Sequence, residues 1–347
     1  MDANAGGRVL TKRRREYDED DVRIRPTRRS RPRTKIRPTH DDAVPALVIA
    51  VDRGRYTCRV DGVTDGTNVL AMRARELGRK GVVVGDKVAL LGDVSGADGT
   101  LARIVRIEPR TGALRRTADD DDPSERVLVA NVAQLVIVTS LTDPPPRTGF
   151  IDRCLAAAFD ADIAPLLCLT KADLGAPADN ALAELREYYA DLDLPYVTTS
   201  PEAPIEPVTD LLTDRLSVLI GHSGVGKSTL VNRIVPGALR DVGRVSAIGK
   251  GRHTSTSAVA LELPTGGWIV DTPGIRSFGL AHVSAESLLH AFTDLVPGLE
   301  ECPRGCDHTG DNDECGLDEL VAEGKARPER LASFRRLLAV KLEPEQY

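Results

Sequence analysis

The stretch GHSGVGKST at residues 221–229 constrains this chain more than any other. It satisfies Gly-x4-Gly-Lys-Ser without substitution, through Gly221, Gly226, Lys227 and Ser228. Such a loop wraps backbone amides around phosphates, while its lysine meets the β- and γ-phosphates and its serine binds Mg²⁺. The loop works only between a strand and a helix. The apolar run LSVLI precedes it and STLVNRI, with a helical pattern, follows. A nucleotide site on an α/β sheet is therefore expected, with Gly221, His222, Ser223, Gly224, Val225, Gly226, Lys227, Ser228 and Thr229 as its phosphate-side residues.

Forty-four residues beyond Lys227, Asp271 closes the strand pattern GGWIV and opens DTPG. An Asp there holds Mg²⁺ through water, and Gly274 offers its amide to the γ-phosphate, so the loop senses hydrolysis. A GTP site also needs a base reader, and residues 275–347 contain no KxD tetrapeptide. TKAD (170–173) ends the strand pattern PLLCLTK, yet it begins 51 residues before Gly221. Asp173 can accept both N1–H and the exocyclic amine of guanine, a pair that adenine does not offer. The stem of Lys171 covers the ring, and Thr170 stands where Asn is commoner. TTS at 198–200 fits the loop backing the base and adds Ser200 to the site. Both base-side motifs keep their mutual order but precede the phosphate loop. A circularly permuted domain is expected.

Around it, residues 46–108 read as short strands split by Gly and Asp turns. A five-stranded oligonucleotide-binding (OB) type barrel is expected, with a generic small β-barrel as the plainer alternative. From 127 buried strands alternate with helical patterns, which implies a mostly parallel, doubly wound sheet. Beyond 280 the chain reads as helical and polar. Residues 1–40 hold 13 Lys and Arg against 6 Asp and Glu, although the whole chain carries −6. This Pro-rich basic tail is either solvated or an arm for RNA phosphates. Aromatic residues make up 3%, so little surface is available for stacking on bases. No run reaches the roughly eighteen apolar residues of a membrane span, and the N-terminus lacks the apolar core of a signal peptide. A cytoplasmic, monomeric protein without membrane contact is expected.

Cys58, Cys154 and Cys168 lie in apolar segments and read as core thiols. CPRGCDHTGDNDEC instead gathers Cys302, Cys306, His308 and Cys315, a Cys₃His set suited to tetrahedral Zn²⁺. Four protein ligands leave no open position, so the zinc would be structural; unpaired thiols are the alternative. For hydrolysis, Ile275 occupies the place where Ras-like enzymes put a water-orienting Gln. GRHTST (251–256) lies where the first switch belongs. Thr254 or Thr256 can complete the Mg²⁺ shell, and His253 can orient water or simply be solvated. Lys227 joins them as a catalytic candidate.

The motif order, with PRTGALRRT (109–117), NVAQLVIV, GRHTST, DTPGIRSFGL and the cysteine cluster, closely resembles the RsgA/YjeQ family of ribosome small subunit-dependent GTPases over roughly residues 45–335. The family spaces its ligands CxxxxCxHx₅C; this chain has one residue fewer in the first gap and one more in the last. The resemblance implies a cytoplasmic GTPase that binds the small ribosomal subunit and its rRNA late in maturation, with hydrolysis stimulated there and His253 taking part. It implies an architecture of an N-terminal OB-type β-barrel, a central α/β circularly permuted P-loop GTPase domain and a C-terminal helical zinc-binding domain. The expected divisions are a tail at 1–40, barrel at 41–112, GTPase domain at 113–280 and zinc domain at 281–347. The alternatives are a GTP-dependent metal or protein chaperone, and a non-hydrolysing nucleotide-controlled RNA-binding module.

Overall fold

The computed structural model describes residues 40–63, 66–78, 81–119, 122–237, 258–271, 285–310 and 315–342. The basic tail, the 251–256 segment and Gly274–Ile275 lie outside them.

Five strands come first: β1 (Val44–Asp52), β2 (Arg55–Val60), β3 (Asn68–Arg73), β4 (Lys87–Leu91) and β5 (Ala102–Ile107). Their order is β1-β2-β3-β5-β4, and β4 also pairs with β1, so the sheet closes on itself. All neighbours are antiparallel except β3 and β5. A closed five-stranded barrel with this crossover is the OB type rather than a generic barrel. Alternate residues, among them Val48, Cys58, Val69, Ala71, Leu90 and Ile104, fill its interior. Burial pushes the Cys58 thiol up to about 12, as suits a core thiol.

A hairpin of β6 (Ala113–Asp119) and β7 (Asp122–Ala130) follows. The acidic run at its turn hides the strand alternation in the sequence, where 109–117 stands out only as a motif. The hairpin base fits closely on the barrel: a Cβ on Gly85 would stand 2.1 Å from the Ala130 carbonyl. The guanidinium of Arg110 donates to both oxygens of fully buried Asp86, at 2.7 and 2.8 Å.

The central domain alternates β8 (Gln134–Ser140), α1 (Thr148–Asp160), β9 (Ala164–Thr170), α2 (Ala176–Tyr188), β10 (Tyr196–Thr198), α3 (Glu206–Leu212), β11 (Leu216–Ile220) and α4 (Lys227–Ile234). The hairpin β12 (Val259–Glu262) and β13 (Trp268–Asp271) completes it. The order is β10-β9-β8-β11-β13-β12, parallel except at β12. Every residue of β8 is buried, which explains the unbroken apolar run at 135–138 in its centre. One apolar cluster includes α1 and α2 residues, and another covers α3 and α4 residues, as a doubly wound sheet requires.

The C-terminal part is α5 (Ala285–His290), a 3₁₀ turn (Thr293–Leu295), α6 (Val296–Glu300), α7 (Gly316–Ala322) and α8 (Pro328–Leu342). It is helical as expected, but less polar than its composition suggests. Phe292, Leu295, Leu317, Phe334 and Leu337 are buried in the same cluster as Ile151 and Leu155 of α1. The central and C-terminal parts therefore share a core.

Candidate functional site

Parallel strands deliver their C-terminal ends to one edge of the sheet, where α/β ligands bind. The phosphate loop leaves β11 and TKAD leaves β9, with β8 between them. Asp271 ends β13, which lies on the other flank of β11. Strand order thus restores the neighbourhood that chain order had scrambled.

Two glycines of the loop have separate physical reasons. A Cβ on Gly221 would stand 2.4 Å from the Val138 carbonyl, so the loop needs glycine to lie against β8. Gly226 has φ +90°, a left-handed conformation that turns the chain into α4. Lys227 opens that helix, and its ammonium donates to Asp271 Oδ1. The phosphate-side cation and the carboxylate at the proposed Mg²⁺ position are therefore in contact. Ser223, Gly224, Ser228 and Thr229 are exposed, while Val225 is buried.

Thr170 joins the base side to the phosphate side. Thr170 is only 6% exposed, and its hydroxyl donates to the Val225 carbonyl at 2.5 Å and lies 3.3 Å from that of Thr139. The Thr-for-Asn change thus keeps a donor aimed at the loop. Lys171 takes φ +59° and donates to the Asp143 carbonyl, and Asp173 is exposed beyond it. The amide of Ala172 donates to the Thr199 carbonyl at 3.3 Å, which brings Ser200 beside the motif.

Three contacts of this edge escaped the sequence reading. The Phe150 ring meets His222 with centroids 4.1 Å apart. Burial and the nearby Arg147 cation push the His222 pKa below its ordinary value, which disfavours a cationic ring at this position. The second is the Lys227–Asp271 pair. The third is Arg233, whose guanidinium reaches the 199–203 loop. Nothing in the pattern STLVNRI distinguishes it from an ordinary solvated helix arginine. His253, Thr254, Thr256 and Gly274 lie outside the described residues.

Farther away, Cys302, Cys306, His308 and Cys315 bring three Sγ atoms and one ring nitrogen within 4.8 Å of one another. Cys302 Sγ lies 3.4 Å from His308 Nδ1 and 4.0 Å from Cys315 Sγ. Zn–S and Zn–N bonds of about 2.3 and 2.0 Å in a tetrahedron require ligand separations of this order, so the donor set fits such an ion. The shifted spacing of the cluster does not keep the four ligands apart. Arg335 of α8 braces the loop, donating to the His308 carbonyl at 3.0 Å and to both oxygens of Asp318 at 2.7 and 2.6 Å.

Comparison with known proteins agrees with this geometry. The RsgA GTPase family profile matches residues 107–281. A small ribosomal subunit biogenesis GTPase RsgA from Chlorobaculum parvum is 37% identical over 265 residues, covering 74% of this chain and 84% of that protein. Its namesake from Shewanella oneidensis is 38% identical over 265 residues, 74% of each chain. The chain belongs to the RsgA GTPase family. The crystal structure of YjeQ from Thermotoga maritima matches with a TM-score of 0.67 at 27% identity, covering 86% of this chain and 99% of that one. YloQ, a circularly permuted GTPase, matches with a TM-score of 0.65 at 22% identity over 89% and 98% of the two chains. The permuted order read from TKAD is thus the order of the RsgA fold, and this RsgA-family chain is a GTP hydrolase.

Proposed function

We propose that this chain binds GTP through the β9, β11 and β13 loop edge and hydrolyses it on the small ribosomal subunit, as a late factor in that particle's assembly. The observation that carries the nucleotide reading is the Thr170–Val225 hydrogen bond, which makes one site of two motifs in reversed sequence order. In this reading Asp173 selects guanine, backed by Lys171 and Ser200. The amides from Gly221 to Gly226 and the Lys227 ammonium hold the phosphates. Ser228, with Asp271 through water, holds Mg²⁺, which would neutralise phosphate charge. Thr254 or Thr256 completes that shell, Gly274 senses the γ-phosphate, and His253 orients the attacking water.

The relatives' names supply the small subunit as partner, and the barrel offers a surface that suits its RNA. Arg55, Met72 and Arg103 stand in register across β2, β3 and β5, all exposed. OB barrels bind oligonucleotides on this face. Two guanidinium groups suit phosphates, and Met72, 44% exposed, suits the apolar side of a nucleotide. The Cys₃His centre holds one structural Zn²⁺. Among the described residues no helix is long and apolar enough to cross a membrane; a cytoplasmic, monomeric protein is part of the proposal. So is its division into a tail (1–40), barrel (41–112), GTPase domain (113–280) and zinc domain (281–347). No feature of the described residues favours the chaperone alternative.

Single-turnover GTP hydrolysis with and without mature small subunits tests this. Slow hydrolysis alone and much faster hydrolysis on the subunit are expected, because Ile275 leaves the water unplaced. His253→Ala should lower the stimulated rate strongly and GTP affinity little. Equal stimulated rates would remove His253 from the mechanism, and an unstimulated wild type would point to another partner.

A further inference from the structure

Arg233 sits in the last turn of α4, the helix whose first residue is the phosphate-side Lys227. Its side chain does not run into solvent. One terminal nitrogen donates to the Thr199 hydroxyl at 3.3 Å and to the Ser200 carbonyl, and the other donates to the Ala203 carbonyl. A single planar guanidinium thus fastens three acceptors of the loop after β10. That loop lies between strand β10 and helix α3, and these residues belong to neither. Its further ties are backbone bonds beside the base reader: the Thr199 amide to the Leu169 carbonyl at 2.8 Å, and the Ala172 amide to the Thr199 carbonyl at 3.3 Å. Ser200 is the residue proposed to back the guanine.

We infer that Arg233 is a positioning residue for guanine selectivity. It holds the base-backing loop in register with TKAD by anchoring it to the phosphate-binding helix. The two halves of the site are consequently joined twice. Thr170 reaches from the base side to the loop at Val225, and Arg233 reaches from the phosphate side to the loop at Ser200. Helix α3 and strand β11 lie between the base-backing loop and the phosphate loop in sequence, and the Arg233 side chain bridges that interval from the end of α4. A lysine in place of Arg233 would keep the charge but present one nitrogen instead of a planar fork, and could satisfy only part of the set.

The inference rests on the proposed guanine site, and the test separates the two. GDP and ADP affinities are measured by calorimetry for the full chain, for Arg233→Gln and for Arg233→Lys, with a melting curve for each. If the unfastened loop holds its binding geometry about one-tenth of the time, GDP affinity falls about tenfold. ADP affinity, which uses the phosphate side alone, should stay within about twofold, so the GDP-to-ADP ratio falls by nearly the same factor. Arg233→Lys should recover part of that ratio. Unchanged GDP affinity in a folded Arg233→Gln protein would overturn the inference. Equal losses for GDP and ADP would also overturn it, since that pattern marks general damage to α4. A wild-type chain without GDP preference would refute the guanine site itself, and the inference with it.

Discussion

Arg330 presents the sharpest energetic test of how the C-terminal helices attach to the GTPase domain. Its side chain is 2% exposed and lies between the fully buried carboxylate of Asp152 and that of Asp294, whose side chain is 5% exposed. One guanidinium nitrogen is 3.6 Å from Asp152 Oδ1 of α1, another is 2.7 Å from Asp294 Oδ1, and the Phe292 ring lies 4.5 Å away. Asp152 itself accepts from Ser333 at 2.5 Å, Tyr189 at 2.9 Å and Tyr188 at 3.1 Å. Burial raises its pKa, and the Ser333 hydrogen bond and the Arg330 charge only partly oppose this. Arg330→Met keeps the apolar bulk but strands the carboxylates, a change that costs about 3–5 kcal/mol for a buried pair. At about 2–4 °C per kcal/mol, the melting temperature should drop by on the order of 10 °C near pH 8. The sign of the pH effect follows from Asp152. Its folded pKa lies above the unfolded value, so stability is present at low pH and is lost as pH rises through the folded pKa. Removing Arg330 moves that pKa still higher, so the deficit of the variant should shrink at pH 5.5. Adding Asp152→Asn should recover part of the loss at pH 8. Scanning calorimetry at both pH values measures all of this. A variant as stable as wild type, or a deficit equal at both pH values, would refute the account.

Other outcomes follow from the site and the barrel. Asp173→Ala removes both guanine acceptors and should abolish preference for GTP over ATP in a folded protein; competition binding with the two nucleotides checks it. Protein purified without chelator should contain about one zinc per chain. Cys306→Ser should lose it and become cleavable by protease near 302–315 while still binding GDP, as measured by elemental analysis, limited proteolysis and calorimetry. RNA affinity should fall steeply with salt. Deleting residues 1–40 should flatten that slope without abolishing specific binding, whereas Arg55→Glu with Arg103→Glu should weaken binding at every salt concentration; filter binding across a salt series reads both.

The phosphate loop, the permuted order and the gathering of three cysteines with His308 were legible because each is a short motif whose residue types are dictated by one local geometry. The barrel was legible as a class, from strand length and turn residues. Its closure through β4 and β1 was not, because register between distant strands leaves no local trace. The β6–β7 hairpin was hidden by charge around its turn. Arg330 and Arg233 illustrate the harder limit. Each reads as a surface arginine on a polar helix, and only tertiary packing supplies Asp152 and Asp294 for one and the Ser200 loop for the other. The shared core of α1 with α8 was missed for the same reason: a 3.6-residue stripe shows that a helix buries a face, not which partner covers it.

The permutation acquires a physical meaning from what borders the nucleotide-sensing half. Strand β12 follows the 251–256 segment directly and is hydrogen-bonded on its far side to the barrel. Strand β1 pairs antiparallel with β12 at Ala50 and Val259, beyond a register shift against β2 and past Leu47, the last residue it pairs with β4. Arg59 of β2 strengthens the joint, reaching Glu262 at 2.9 Å with its guanidinium 5.7 Å from the Trp268 ring. On the other side the chain leaves Asp271, and its next described helix, α5, packs on α1 with the C-terminal helices. In an unpermuted order β13 would run on into β8 and the base-reading half, inside the same sheet. Here the 251–256 segment leads into β12, which pairs with barrel strand β1, and the chain beyond Asp271 leads to α5, which packs on α1 with the C-terminal helices. In the proposed function, force applied by a bound RNA surface to the barrel or to the C-terminal helices would act on β12 by backbone pairing or on α5 through a packed core, the elements that border the expected switch segments. Such an arrangement suits an enzyme whose hydrolysis waits for a large particle to engage both bodies together.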